Sequence, residues 1–391
     1  MKKLYLLMLS AMMAASSFGQ GSAVYFTKDI TPESLVSIYE ALGVSAEGKR
    51  VAVKISTGES SRSNHLRPEL IKNLVQKLGA NLVECNTAYG GSRATTADHR
   101  RAIAERGFNA IATVDIMDEE GEMQLPVTDT KHIKYDIVGS HLQNYDLMVN
   151  LAHFKGHAMG GFGGVLKNQS IGVASSSGKL YIHSAGRSTT RWMSDDQDGF
   201  LESMAAAAQA VHNYFKQDGR NIVYINVMNN MSVDCDCDGS PATPQLKDIG
   251  ILASLDPVAL DKACLDLVFN HQSVAGDDAS PLVRRIENLH GTHTVEYAEQ
   301  LGLGSQKYTL IDLDQLAGID GAKPDSAALL EDPTGNSYEI VKAKYRKNDI
   351  RQDQAMAAGS IVSYRSRRTA VLHPVLCIVV CPDAAAHQRG G

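Results

Sequence analysis

From Arg50 onward, apolar and polar positions alternate between two periods. Val51 to Ile55 is a short run rich in β-branched residues, and Pro68 to Leu78 repeats its apolar residues at helical spacing. Asn81 to Cys85 reads as a second strand, Thr96 to Arg106 as a helix capped by Thr95 or Thr96 and ended by Gly107, and Ala110 to Val114 as a third strand. Asp146 to Leu151 is expected to be a buried strand, Phe200 to Phe215 a long Ala-rich helix, and Ile222 to Val227 the strand after it. Pro257 to Phe269 should form a helix opened by Asp256, an acidic cap before a proline. Alternation of this kind predicts an α/β fold, a largely parallel sheet with helices on both faces. No internal repeat interrupts it, so a single main domain over about residues 24–318 is the simplest organisation.

The ends depart from this pattern. Lys2 and Lys3 precede an apolar run from Leu4 to Ala15, and Ser17-Phe18-Gly19 places small residues where a signal peptide is cleaved, so residues 1–19 are expected to be an export leader. The expected address is periplasmic or secreted. Residues 319–360 carry turn formers and a short β-prone stretch, Tyr338 to Ala343, and are expected to be a C-terminal extension. Residues 361–391 share no periodicity with what precedes them, a composition that either a frameshifted or cloning-derived tail or a real terminal segment would explain. Cys377 and Cys381, which lie there, are assigned no chemistry.

With 391 residues, 43% hydrophobic content and 21% charge, the chain can bury a large core. Its net charge of −6 offers no basic stripe for nucleic acid. Beyond the leader, no stretch approaches the roughly 20 apolar residues of a membrane span, so an embedded protein is not expected. Six cysteines are too few for a disulfide-built scaffold in a chain of this length, and Cys85 and Cys264 lie in apolar surroundings that suit buried thiols.

The densest chemistry lies in "NLAHFKGHAMGGFGGVLKNQSIG", residues 150–172, where a strand gives way to a glycine-rich loop. Ligands in open α/β sheets gather at the carboxyl ends of strands. On an extended segment His153, Lys155 and His157 face one way, and with Lys167 they are candidate catalytic residues. Gly163, Gly164 and Asn168, with Arg62 and His65 from the polar loop after the first strand, are candidate cofactor- or anion-binding residues. Tyr89, Arg93 and His99 are available from the loop region after the second strand. The glycines match neither a dinucleotide fingerprint nor a phosphate loop, and the common serine-hydrolase and zinc-protease motifs are absent.

A second cluster, "VDCDCDGS", alternates Asp234, Asp236 and Asp238 with Cys235 and Cys237. Two metal readings compete. The cysteines could act as soft thiolate ligands for a transition metal or an iron–sulfur centre, or the aspartates and Gly239 could open a calcium loop. Gln245 stands where such a loop would carry its closing glutamate. The expected ligand is a small anionic molecule beside a bound metal or cofactor, and the rival reading is a non-catalytic binding protein for a carboxylate or phosphate with structural calcium.

The glycine loop, the "CDCDG" turn, "DIGILASLDPVALDKAC" and "HTVEYAEQLGLGSQKYTLID" together resemble domain of unknown function 362, over about residues 50–312. The resemblance implies a shared core of His153, Lys155, His157, Lys167, Asn168, Cys235, Cys237, Asp256, Pro257 and Asp261. Members labelled as iron–sulfur-centre proteins also carry a ferredoxin module with C-x-x-C-x-x-C runs, and this sequence has none. A likeness to the nickel-pincer lactate racemases, which also place histidines and lysines on such loops, implies an isomerase version of the same site.

Overall fold

The computed structural model describes residues 21–317 and, beyond them, only the backbone of four short strands at 323–326, 329–331, 339–340 and 344–346. The expected leader at residues 1–19 and the tail at 361–391 lie outside the described residues, as does most of the 319–360 extension.

Eight strands form one sheet: β1 (Ser22–Thr27), β2 (Val51–Lys54), β3 (Asn81–Glu84), β4 (Val114–Ile116), β7 (Leu147–His153), β10 (Asn221–Met228), β11 (Gly250–Ser254) and β12 (Tyr308–Asp312). Their spatial order is β12-β1-β11-β10-β7-β2-β3-β4. All neighbours are parallel except β11, which runs against both β1 and β10. Two small hairpins stand apart, β5 (Glu122–Pro126) with β6 (Tyr135–Gly139), and β8 (Lys155–His157) with β9 (Gly161–Gly163).

The period of two along each strand separates two cores. Val51, Val53, Val149, Leu151, Val223 and Ile225 pack on one face against Leu35 and Ile38 of α1 (Pro32–Ala41), Ile71 and Leu74 of α2 (Pro68–Leu78), and Ile103 of α3 (Thr96–Glu105). Ala52, Met148, Ala152 and Tyr224 point the other way. They meet α4 (Val165–Ser170), α6 (Gln197–Phe215) and α7 (Pro257–Phe269), with α5 (Ser176–His183) packed on the outside of α6. Helices α8 (Ser280–Asn288) and α9 (His293–Gln300) close this side. Each buried Val, Leu, Ile or Met side chain contributes about 1.5–3 kcal/mol on full burial, which is why the two-sided strands read as apolar runs.

The expected α/β architecture with a largely parallel sheet is what the structure has. Helices α2 and α7 keep their expected bounds, Gly79 ends α2 in the left-handed conformation, and Thr95 and Asp256 cap their helices. The expected strand Ala110 to Val114 is displaced. Gly107 turns with φ 79° into a 3-10 segment at Phe108–Ala110, and the strand begins only at Val114. Among the described residues no helix is long and apolar enough to cross a membrane.

Candidate functional site

Because β2, β3 and β7 are parallel, their carboxyl ends lie along one edge of the sheet. Beyond that edge opens a cleft of about 340 Å³. Its walls come from the ends of β2 and β3, the β8–β9 hairpin, α4, α5 and the turn at residues 235–237.

Two glycines let these pieces approach. A Cβ at Gly156 would lie 2.3 Å from the Val233 carbonyl oxygen, so β8 and the cysteine turn can pack backbone to backbone only with glycine there, and Gly156 N–H donates to the Ser232 carbonyl at 2.8 Å. A Cβ at Gly164 would lie 2.2 Å from Asp261 Oδ1. Instead, the Asp261 carboxylate accepts from the N–H groups of Val165 and Leu166, both at 2.9 Å, and from Asn226 Nδ2 at 2.7 Å. That carboxylate clamps the start of α4 and so aims Lys167 and Asn168 at the cleft.

Asp236 anchors the turn from inside. It is 1% exposed, and its carboxylate takes His153 Nδ1 at 2.8 Å on one oxygen and pairs with Lys155 Nζ at 2.8 Å on the other. Burial opposes a charge there, but Lys155 and His153 outweigh it and hold the carboxyl well below the usual carboxylate range. The same pair lifts the Lys155 ammonium above its ordinary value against the pull of burial. His153 Nε2 faces the Asn229 carbonyl at 2.5 Å, so both of its ring nitrogens are engaged. His153 and Lys155 thus position the turn.

The flanking cysteines face the cleft. Cys235 accepts the backbone N–H of Cys237 at 3.4 Å and a hydrogen bond from the Cys237 thiol. That bond, with Lys167 and His157 nearby, brings the Cys235 thiol well below its ordinary pKa although burial resists, and pushes Cys237 well above. The two sulfurs titrate as a pair, with the hydrogen bond between them favouring charge on Cys235. His157 completes the group: a ring nitrogen and the two sulfurs lie within 4.8 Å of one another, a donor set that suits a soft metal. The His157 ring orientation argues for a different role. Its Nδ1 accepts from the N–H groups of Met159, at 3.1 Å, and Gly160, at 2.8 Å. Burial lowers the His157 pKa, and the neutral ring then carries its proton on Nε2, where it donates to the Cys235 sulfur and is not free to coordinate.

The rest of the cleft is cationic. Lys54, at the end of β2, is 1% exposed and donates to the Ile55 carbonyl and, at 3.2 Å, to Asn168 Oδ1. Lys179, on α5, is 7% exposed and donates to the Ala174 carbonyl. Neither has a carboxylate in ion-pair contact among the described residues, and Lys167 Nζ has no hydrogen-bonding or ion-pair partner there, although its carbonyl accepts from Gly172 N–H at 3.3 Å. Burial lowers the Lys54 pKa to about 8 and lowers that of Lys179 as well. Arg93 differs, since it pairs with Glu84 at 2.6 Å and Glu59 at 3.3 Å and takes up Tyr89 at 2.9 Å. At the cleft's outer side the Trp192 ring packs at a tilt against His183, with centroids 4.5 Å apart, and burial drives the His183 pKa down to about 3.

The sequence-based candidates therefore divide. Lys155, His157, Gly163, Gly164, Lys167, Asn168, Cys235 and Cys237 line the cleft. His153 sits behind it, and the expected common face of His153, Lys155 and His157 splits between Asp236 and Cys235. Arg62 and His65 do not reach the cleft: Arg62 is exposed and bonds Ser240 Oγ at 2.7 Å, while His65 is buried against Arg67 and Phe108. The calcium-loop expectation fails on geometry. Asp234 turns to the Ala242 N–H and Arg285, Asp238 caps the Ser240 N–H, and Asp236 points inward to its cations, so the three carboxylates share no oxygen pocket. Lys54, Lys179, Glu84 and Trp192 were not among the candidates. Cys85 and Cys264 are buried thiols, as expected, with Cys85 pushed up to about 12.

Fold and site together define an α/β protein with a thiol pair set in a cationic cleft at the strand ends. The chain belongs to the family described as domain of unknown function (DUF362), whose model matches residues 51–266. No curated protein sequence matches it. Among solved structures it is similar to a crystal structure of a Thermotoga maritima protein, with 11% identity and a TM-score of 0.36, over 77% of this chain and 61% of that one. This chain thus spans less than two thirds of that protein's length. It is also similar to the lactate racemase apoprotein of Thermoanaerobacterium thermosaccharolyticum, with 12% identity and a TM-score of 0.34, over 75% of this chain and 83% of that one.

Proposed function

We propose that the protein is an exported enzyme that binds a small anionic substrate in the cleft and acts on it with the Cys235–Cys237 pair. The observation that carries the reading is charge left over. Lys54 and Lys179 are buried beside the cleft with only neutral acceptors, and a buried cation without a partner costs several kcal/mol. An anion in the cleft offsets that cost and lies near the Cys235 thiolate, which His157 and the Cys237 thiol hold ready. Export rests on the basic start, apolar run and small residues of 1–19.

A second reading has the two sulfurs holding a soft transition metal, and the 4.8 Å grouping of Cys235, Cys237 and His157 favours it. Bound there, a metal would supply Lewis acidity or a redox couple to the ligand in the cleft. The His157 hydrogen bonds fit the metal-free thiolate better.

Elemental analysis of full-length protein purified without chelators, with thiol titration against pH, tests both. One thiolate reactive below pH 7, lost in Cys235→Ser and with no stoichiometric metal, supports the first reading. Stoichiometric metal lost in the Cys235→Ser, Cys237→Ser protein establishes the second. Two thiols of ordinary reactivity, no metal, and no binding of phosphate or small carboxylates by calorimetry would overturn both.

A further inference from the structure

We propose that Lys54 is a carbonyl-reactive amine and that the small anion of the cleft is a 2-oxo acid, which Lys54 captures as an imine. This rests on the anionic-substrate reading and deepens it.

The case begins with the hydrogen bonds of one nitrogen. Lys54 Nζ donates to the Ile55 carbonyl and to Asn168 Oδ1. The Asn168 amide has a fixed sense, since its Nδ2 donates to the Lys54 carbonyl at 3.1 Å and to Asn150 Oδ1 at 2.7 Å, which leaves Oδ1 as acceptor. A tetrahedral nitrogen bonded to Cε with two N–H groups committed has one position left, and Lys54 lines the cleft. In the free amine that position is a lone pair.

The surroundings bring the free amine within reach just above neutral pH, while the ammonium remains the major form below it. Burial brings the Lys54 pKa to about 8; Lys179 and Arg93 push it in the same direction, while Glu84 and Cys85 oppose. Near pH 8 about half of Lys54 is therefore nucleophilic, against well under a hundredth for an ordinary lysine. The other lysines of the cleft are suited to different work. Lys155 is committed to Asp236, whereas Lys167 and Lys179 have no carboxylate partner and can take the carboxylate of a ligand. A molecule that satisfies both demands carries an electrophilic carbonyl next to a carboxylate.

The step balances without a further reactant. The Lys54 lone pair forms the C–N bond as the C=O π pair moves onto oxygen; that oxygen takes the two amine protons and leaves as water with the C–O pair, while the pair freed from nitrogen closes the C=N double bond.

Full-length protein is incubated with pyruvate or phenylpyruvate across pH 6–10, reduced with cyanoborohydride and digested for mass spectrometry, with ligand binding followed in parallel by thermal shift. The expected result is a reduced adduct on Lys54, rising through about pH 8 and absent in Lys54→Met and Lys54→Arg. Lys179→Met should move the midpoint of that rise upward, because it removes a like charge, a change that a merely structural lysine would not produce. Binding of the oxo acids without an adduct, or an adduct confined to another lysine, overturns the imine and leaves the anion reading standing. If neither oxo acids nor other small carboxylates and phosphate shift the melting temperature, the anion reading itself falls. Loss of the melting transition in both Lys54 variants would move the test to competition in the native chain, where phosphate must suppress the Lys54 adduct.

Discussion

Among the described residues two places gather metal-ligand side chains, and they handle charge in opposite ways. Near the β4 edge of the sheet, Asp115, Glu119 and His141 bring their ligand atoms within 4.8 Å, as His157, Cys235 and Cys237 do at the cleft. At that edge every charge has a local answer. His141 Nδ1 lies 2.8 Å from Asp115 and its Nε2 3.3 Å from Glu120, Tyr145 donates to Asp115 at 2.6 Å, and Arg100 pairs with Glu119. The cleft instead leaves two buried lysines unanswered. A collection of ligand types is thus weak evidence for a site, while buried charge that the protein does not neutralise points to something it binds.

The largest expected effect tests whether the neutralised part of the cleft is structural. Glu84→Ala leaves Arg93 and His99 without their buried partner and should cost about 3–5 kcal/mol in denaturant unfolding. Lys54→Met with Lys179→Met should change stability in the other direction, a gain of about 1–2 kcal/mol, while small-anion affinity falls tenfold or more by calorimetry. A loss of stability in that double variant would erase the distinction between the two places. His141→Ala should cost only about 0.2–1 kcal/mol. Its pH dependence has a definite sign. Burial pulls the His141 pKa down, but Asp115 and Glu120 outweigh it and raise it, so the stabilisation is full below the ordinary histidine value and is lost as pH rises through the raised one. Thermal unfolding of the wild type and His141→Ala should therefore converge toward alkaline pH.

The position of the cleft was legible because it depends on local facts: a buried strand ending in His153, glycines after it, and a turn with two cysteines. What those residues do there was less so. Alternation on a strand puts His153 and Lys155 on one side, but β8 leaves the sheet as a hairpin and carries His157 to a different partner. Aspartates at every second position suggested convergence, whereas a turn splays them. Lys54 looked like the polar end of an ordinary strand, and Lys179 like a helix-surface residue; their burial comes from packing against segments more than a hundred residues away in the first case and against β6 and the 171–174 loop in the second. The antiparallel β11 was not legible for the same reason, since strand order is decided by long-range pairing.

Strand β1 is in register with β11 on one side and β12 on the other. Among the eight strands of this sheet, synthesis delivers β1 first and both of its neighbours last. Until residues 250–312 emerge, β1 has no place to dock, and its two edges stay open to wrong partners. At about 5–20 residues per second that wait lasts on the order of ten seconds to a minute. The sheet can grow from β2, β3 and β7 in the meantime, but its order is complete only once β11 and β12 are made, so its first strand is held in place by its last two.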